Sequence, residues 1–255
     1  KVNSTFISSK TIDLVKQNSY KKLSKKINTG NVVIFISAKA PVKNLEMLSD
    51  NIKILENVSK AINKKKIKQI IYISSDAVYS DSFKKISENY NREPDNLHGM
   101  MHVIRENYLK SLFSKKLCIL RPTLIYGEGD PHNGYGPNKF IRLAKKNEDI
   151  LLFGKGEELR DHININDVVK IIYYSVIKNF RGEYTLATGN VISFFNISKI
   201  IKKLYNSKSE IIFQKRLGKI PHRGYRCFNV NKIKKKIKNL KFIKINNKKY
   251  LNVWG

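Results

Sequence analysis

The hydrophobic positions change their period along the chain. Asn31-Val-Val-Ile-Phe-Ile-Ser-Ala38 is an unbroken β-branched and aromatic run ended by small residues, which predicts a buried strand. Lys68 to Ser74 and Leu117 to Leu120 predict two more. Between them the apolar residues take a helical spacing. Leu45 to Lys64 carries Ile52, Leu55, Val58 and Ile62, and His98 to Phe113 carries Val103, Ile104, Tyr108 and Leu112 on one side. A shorter helical stretch, Gln17 to Ile27, lies in the polar first thirty residues. The alternation of strand and helix, with connections long enough for parallel crossovers, predicts an α/β fold: a Rossmann-like, doubly wound parallel sheet. The second half mixes periods. Helices are expected over Phe140–Lys146, Ile165–Val176 and Phe195–Leu204, with a short strand at Tyr184–Ala187, as in a small α+β lobe. The run Lys232 to Lys248 reads as a solvated helix and edge strand, or as a basic arm.

Composition narrows this picture little. With 255 residues, 41% hydrophobic and 27% charged, the chain fits one large domain or a domain with a smaller lobe, and excludes disorder over most of its length. No apolar run approaches the roughly 20 residues of a membrane span. The two cysteines, Cys118 and Cys227, build no disulfide framework and point to a reducing compartment. No signal-peptide pattern opens the residues, and a cytoplasmic location is expected. The net charge of +30 comes from 41 lysines and only nine arginines against 20 acidic residues. Lysine is spread along the chain beside abundant Asn and Ile, which reads as codon bias. No specific nucleic-acid partner is expected, although the lysines attract anionic small molecules.

Candidate chemistry gathers where strands end, since ligands of an open parallel sheet bind beyond the carboxyl ends of its strands. Ser37-Ala38 and Ser74-Ser75-Asp76 lie there. Four segments stand out in order along the chain: Ser49-Asp-Asn-Ile-Lys-Ile-Leu-Glu-Asn-Val58, Tyr72-Ile-Ser-Ser-Asp-Ala-Val-Tyr79, Arg121-Pro-Thr-Leu-Ile-Tyr-Gly127, and Gly154-Lys-Gly-Glu-Glu-Leu-Arg-Asp-His-Ile-Asn-Ile-Asn-Asp-Val168. Together they resemble the extended short-chain dehydrogenase/reductase superfamily, in its NAD-dependent epimerase/dehydratase branch. Each alone is weak; their order and spacing carry the likeness. The resemblance implies NAD or NADP as cofactor, with Asp13, Ser37, Ala38, Asn51, Ser74, His102 and Arg121 near it. It implies a nucleotide-sugar substrate held by Ser75, Asn133, Arg160 and Arg223, with Arg160 reaching the diphosphate. Catalytic roles fall to Ser75, Asp76, His98 and His102, and no metal is implied. It further implies a cofactor domain over residues 1–125 and 162–192, a substrate lobe over 126–161 and 193–255, and a possible homodimer.

Two departures from the pattern matter. The first glycine is Gly30 and the next is Gly99, so no glycine-rich phosphate loop occurs. Thr11-Ile-Asp-Leu14 resembles the short strand that follows the family's first βαβ unit, so the sheet is expected to be incomplete at its N-terminal side. The second departure is at the catalytic helix. Where the family has Tyr-x-x-x-Lys, often with an acidic residue four positions on, this chain has His98-Gly-Met-Met-His102-Val-Ile-Arg-Glu106. Positions i and i+4 share a helix face, so both imidazoles can face one cavity, and a neutral imidazole is a competent base near pH 7. Three other readings stand beside altered acid/base catalysis. The pair could belong to a silent cofactor or sugar binder, or be incidental to a structural helix. It could also bind zinc, for which a third ligand and the usual internal Glu are lacking. The turn-rich segment Gly127 to Asn138 is expected to face a ligand.

Overall fold

A computed structural model describes residues 3–63, 65–130 and 133–251. The chain forms two compact units. One comprises the residues up to Ser80, Asn91–Arg121 and Ser175–Glu183; the other comprises Asp81–Tyr90, Pro122–Tyr174 and the residues from Tyr184 on. The elements of the first are α1 (Ser19–Ser24), β1 (Val32–Phe35), α2 (Leu45–Asn63), β2 (Gln69–Ile73), α3 (Leu97–Phe113) and β3 (Leu117–Pro122). Those of the second are β4 (Leu124–Tyr126), α4 (Pro137–Lys146), β5 (Ile150–Phe153), β6 (Leu159–Arg160), β7 (His162–Asn164), α5 (Ile165–Ile177), β8 (Gly182–Leu186), β9 (Ile192–Ser193), α6 (Phe194–Leu204), β10 (Ile211–Gln214), β11 (Tyr225–Arg226) and α7 (Asn231–Lys236). The last residue of β3 belongs to the second unit, while the last turn of α5 and the start of β8 belong to the first. Residues 162–174 and 184–192, expected in a cofactor domain, pack within the second unit.

The main sheet has the order β1-β2-β3-β8, with β1·β2 and β2·β3 parallel and Val33 opposite Ile70 and Ile71 opposite Cys118. Every residue of β3 is buried, as the hydrophobic run requires of a strand covered on both faces. β1 departs from the buried strand expected of it. Among the described residues β2 is its one neighbour in the sheet, and while Phe35 is buried, Ile34 and Ile36 are exposed. On α2 the buried face is Ile54, Leu55, Val58, Ala61 and Ile62, and Ile52 turns outward. Asn57, buried on the same helix, receives the Tyr20 backbone N–H at 3.1 Å and donates to the carbonyls of Leu14 and Lys16, which ties the first residues to α2.

The second unit is built of short strand pairs. β4 runs parallel to β7, β5 parallel to β10, and β6 lies between β11 and β9. Its core sets Phe140 and Ile141 of α4 against Ile150 and Leu152 of β5 and Phe194 and Ile197 of α6. Gly127, at the start of the turn-rich segment, has φ 124°, and a Cβ there would sit 2.9 Å from the Ile165 side chain, so the bend requires glycine. Pro131 and His132 of that segment lie outside the described residues. In the basic tail, Ile233, Ile237 and Leu240 turn inward while Lys232, Lys234–Lys236 and Lys238 are exposed. The tail is α-helical over α7, and the expected edge strand does not form among its described residues.

Candidate active site

In the first unit, β2 ends at Ile73, and Ser74 and Ser75 lead into a single 3-10 turn, Asp76–Val78. Ser75 caps that turn by accepting the Ala77 N–H at 3.1 Å. Helix α3 begins under its own cap, with Asn96 Oδ1 accepting the Gly99 N–H at 2.9 Å. Gly99 is where α3 meets the turn: a Cβ there would lie 2.2 Å from the Ala77 carbonyl oxygen. Only a residue without a side chain permits that approach, and it sets His98 close enough to Asp76 to feel its charge. The His98 and His102 rings lie edge to face, 4.8 Å apart with planes at 85°. Burial holds His98 below the usual imidazole range, with Asp76 opposing the shift, and its Nδ1 is buried without a partner. His102 is buried more deeply and is pushed down to about 2, by burial first and then by the His98 and Arg105 charges. Its Nδ1 is 2.7 Å from the Tyr72 hydroxyl.

The remaining polar face of α3 is also buried, and two hubs organise it. Glu106, fully buried, accepts from Ser74 Oγ at 2.7 Å, Arg121 Nε at 2.8 Å, Arg121 Nη2 at 2.6 Å and Arg92 Nη1 at 3.2 Å. Arg121 also donates to Glu183 and to the Tyr79 hydroxyl, which ties its guanidinium to the unit's interior. Arg105, also fully buried, donates to the Ser37 carbonyl and to both oxygens of Asn51, each at 2.8 Å, and its guanidinium stacks 5.0 Å above the Phe35 ring. Asn51 in turn holds the Lys39 backbone through both its N–H and its carbonyl. The sequence-named residues therefore fall into groups: Ser37 with Asn51 through Arg105, Ser74 with Arg121 through Glu106, and Asp76 with His98 and His102, while Ser75 caps the turn that carries Asp76. Ala38 is exposed beyond β1, and the Asp13 carboxylate accepts the Val15 N–H at 3.0 Å.

In the second unit, Arg160 on β6 lies 3.7 Å from Glu158, which also pairs with Arg216. The neighbouring Asp161 accepts from the Thr188 N–H, the Thr188 hydroxyl and the Gly189 N–H at 2.7–2.9 Å, so the Arg-Asp segment fastens the turn after β8. His222 Nδ1 is 2.6 Å from Asp81 Oδ1, with Arg226 Nη1 at 3.4 Å from the same oxygen. Arg223 is exposed and stands 5.4 Å from the Phe83 ring. His222 and Arg223 both have φ 51°, an uncommon conformation for non-glycine residues that this loop imposes twice in succession. Asn133 accepts from Arg142 Nη1 at 3.1 Å. A cavity of about 230 Å³ in this unit is lined by Lys85, Asn190, Phe228 and Lys234, among others, and by none of the sequence-named residues.

Compared with known families, residues 7–186 match the model of the NAD dependent epimerase/dehydratase family. The chain belongs to that family. Among similar members is a putative UDP-glucose 4-epimerase of Methanocaldococcus jannaschii, 29% identical over 210 residues that make up 76% of this chain and 68% of the relative. Another is an N-acetyl-α-D-glucosaminyl-diphospho-ditrans,octacis-undecaprenol 4-epimerase of Escherichia coli O157:H7, 32% identical over 52% of this chain and 40% of the relative. The fold is that of an ADP-L-glycero-D-manno-heptose-6-epimerase of Helicobacter pylori (TM-score 0.80, 19% identity, 94% of this chain and 76% of that one). It is equally that of a UDP-N-acetylglucosamine 4-epimerase of Methanobrevibacter ruminantium (TM-score 0.79, 22% identity, 92% and 77%). In the first unit, Tyr72 and Arg105 stand inside the segments read from the sequence but were given no role there, because their partners His102, Ser37 and Asn51 are distant in sequence. In the second unit, the Asp81, His222 and Arg226 cluster was missed for the same reason. Glu106 had a signal in its spacing from His102, but not its four bonds.

Proposed function

We propose that the chain carries out NAD(P)-dependent epimerisation or dehydration of a nucleotide sugar, in the cytoplasmic synthesis of a surface polysaccharide, with His98 and His102 in place of the usual Tyr and Lys. The observation that carries this reading is the pair of imidazoles on one face of α3, 4.8 Å apart and held neutral by burial, with Asp76 close enough to act on His98. When bound, the nicotinamide cofactor supplies a hydride acceptor. The exposed Ser37-Ala38 beyond β1 suit its close approach to the backbone, and residues 1–255 contain no glycine-rich loop for its diphosphate. His98 is neutral at pH 7 and accepts the proton of the sugar hydroxyl; the Asp76 carboxylate then steadies the imidazolium. Ser75 uses its oxygen as a cap acceptor, which leaves its O–H to donate to the substrate. His102 donates an N–H to a ribose hydroxyl without carrying a charge.

Arg160 is assigned to the substrate diphosphate. Arg160→Ala is expected to weaken nucleotide-sugar binding by about 1.5–3 kcal/mol, the worth of a hydrogen bond to a charged group, with NAD affinity nearly unchanged. Calorimetric titration of both ligands checks this, and a fall in NAD affinity alone would reassign the residue. A second reading, a silent binder of cofactor or sugar nucleotide, draws on the missing glycine loop and the replaced Tyr and Lys. Absence of turnover with any nucleotide sugar, despite tight binding, would favour it.

A further inference from the structure

The Tyr72 hydroxyl is completely buried between β2 and α3, and His102 Nδ1 is 2.7 Å away. Two arrangements of protons could make that bond. If Nδ1–H donated to the phenol oxygen, the phenol proton would need an acceptor of its own. None is present among the described residues: the other group beside the hydroxyl is the Arg105 guanidinium, which only donates and whose charge favours the tyrosine anion. A buried O–H without an acceptor is costly. The phenol therefore donates, Nδ1 accepts, and the His102 proton sits on Nε2, on the ring edge turned away from Tyr72. Arg105 adds a permanent charge close to both imidazoles and disfavours protonating either, and no carboxylate bonds it among the described residues.

We propose that Tyr72 is a positioning residue: it fixes His102 as the neutral Nε2–H tautomer, so that α3 presents an uncharged N–H donor beside His98. The role given to that donor rests on the proposed function, but the tautomer does not. The groups that bear on the pair are Arg105 and Glu106 on α3, Asp76 on the 3-10 turn and Tyr72 on β2. The arrangement differs from a lysine in kind. A lysine donor is mobile and charged; this one is rigid, neutral and set by a residue 30 positions earlier in the chain.

The test is long-range ¹H–¹⁵N NMR of the imidazoles in the protein without added ligand, between pH 5 and 8, with His98→Gln and His102→Gln used for assignment. The expected spectrum has His102 Nδ1 unprotonated, Nε2 protonated and no titration in this range. In Tyr72→Phe the preference for the Nε2–H tautomer should drop by about tenfold or more, the worth of a buried hydrogen bond. A His102 proton on Nδ1, or a His102 titration near pH 6.5, in the unsubstituted protein would overturn the proposal, whatever the fate of the Tyr72 variant. If the expected tautomer is seen and no nucleotide sugar is turned over, the positioning role stands and the catalytic reading falls. Turnover with the wrong tautomer gives the reverse.

Discussion

At the scale of single residues, the site is governed by which protonation state burial allows. His102 is pushed down to about 2, whereas the unfolded chain titrates near 6.5. Below pH 6.5 the unfolded state binds a proton that the folded state refuses, so stability falls as pH falls. The loss is about 1.4 kcal/mol per pH unit for this one group. His162 on β7, buried and pushed down to about 3, acts with the same sign in the second unit. Urea unfolding of the parent protein should therefore lose about 2 kcal/mol between pH 6.5 and pH 5 through His102, and His102→Gln should flatten that part of the profile. A parent whose stability is level across this range would show that the imidazole is not buried as described. The positions of His98 and His102 were legible from their spacing on one helix face. Tyr72 was not, because in sequence it is one more apolar residue of a buried strand, and its hydroxyl acquires meaning only when α3 packs over β2.

Elements were legible where the period was long. The three sheet strands β1–β3 and helices α2 to α6 lie within a few residues of their expected places, whereas β6, β9 and β11, two residues each, are too short to leave a pattern. On α3 the apolar residues that share one side face outward. Ile104, Tyr108 and Leu112 are each more than 40% exposed, and Met100 continues the stripe one turn earlier. The buried face is instead His102, Arg105 and Glu106 with Met101, Leu109 and Phe113. Charged groups can turn inward there because their bonds to Ser74, Arg121 and Asn51 satisfy them, which no count of hydrophobic residues reveals.

At the scale of the whole molecule, the α/β character and the parallel order were legible, because alternating periods admit few topologies. The division into units was less so: residues 81–90 join the second unit through long-range bonds such as Ile86 N–H to the Cys227 carbonyl and Thr185 N–H to Glu88, which leave no local trace. Among the described residues no helix is long and apolar enough to cross a membrane. The central functional claim is that a neutral His98 moves the proton in turnover of a nucleotide sugar. It is tested most directly by the pH–rate profile of the parent and His98→Phe proteins with NAD and a nucleotide sugar supplied. Because burial lowers the His98 pKa, the parent should stay active through pH 6.5 and lose rate only below it, as the base becomes protonated. His98→Phe should be about 10²–10⁴-fold slower, the usual size of a general acid/base contribution, with NAD affinity nearly constant and the acid limb abolished. Equal rates for the two proteins, or an acid limb that survives in His98→Phe, would contradict the assignment and move proton transfer to another group, with Asp76 the nearest candidate.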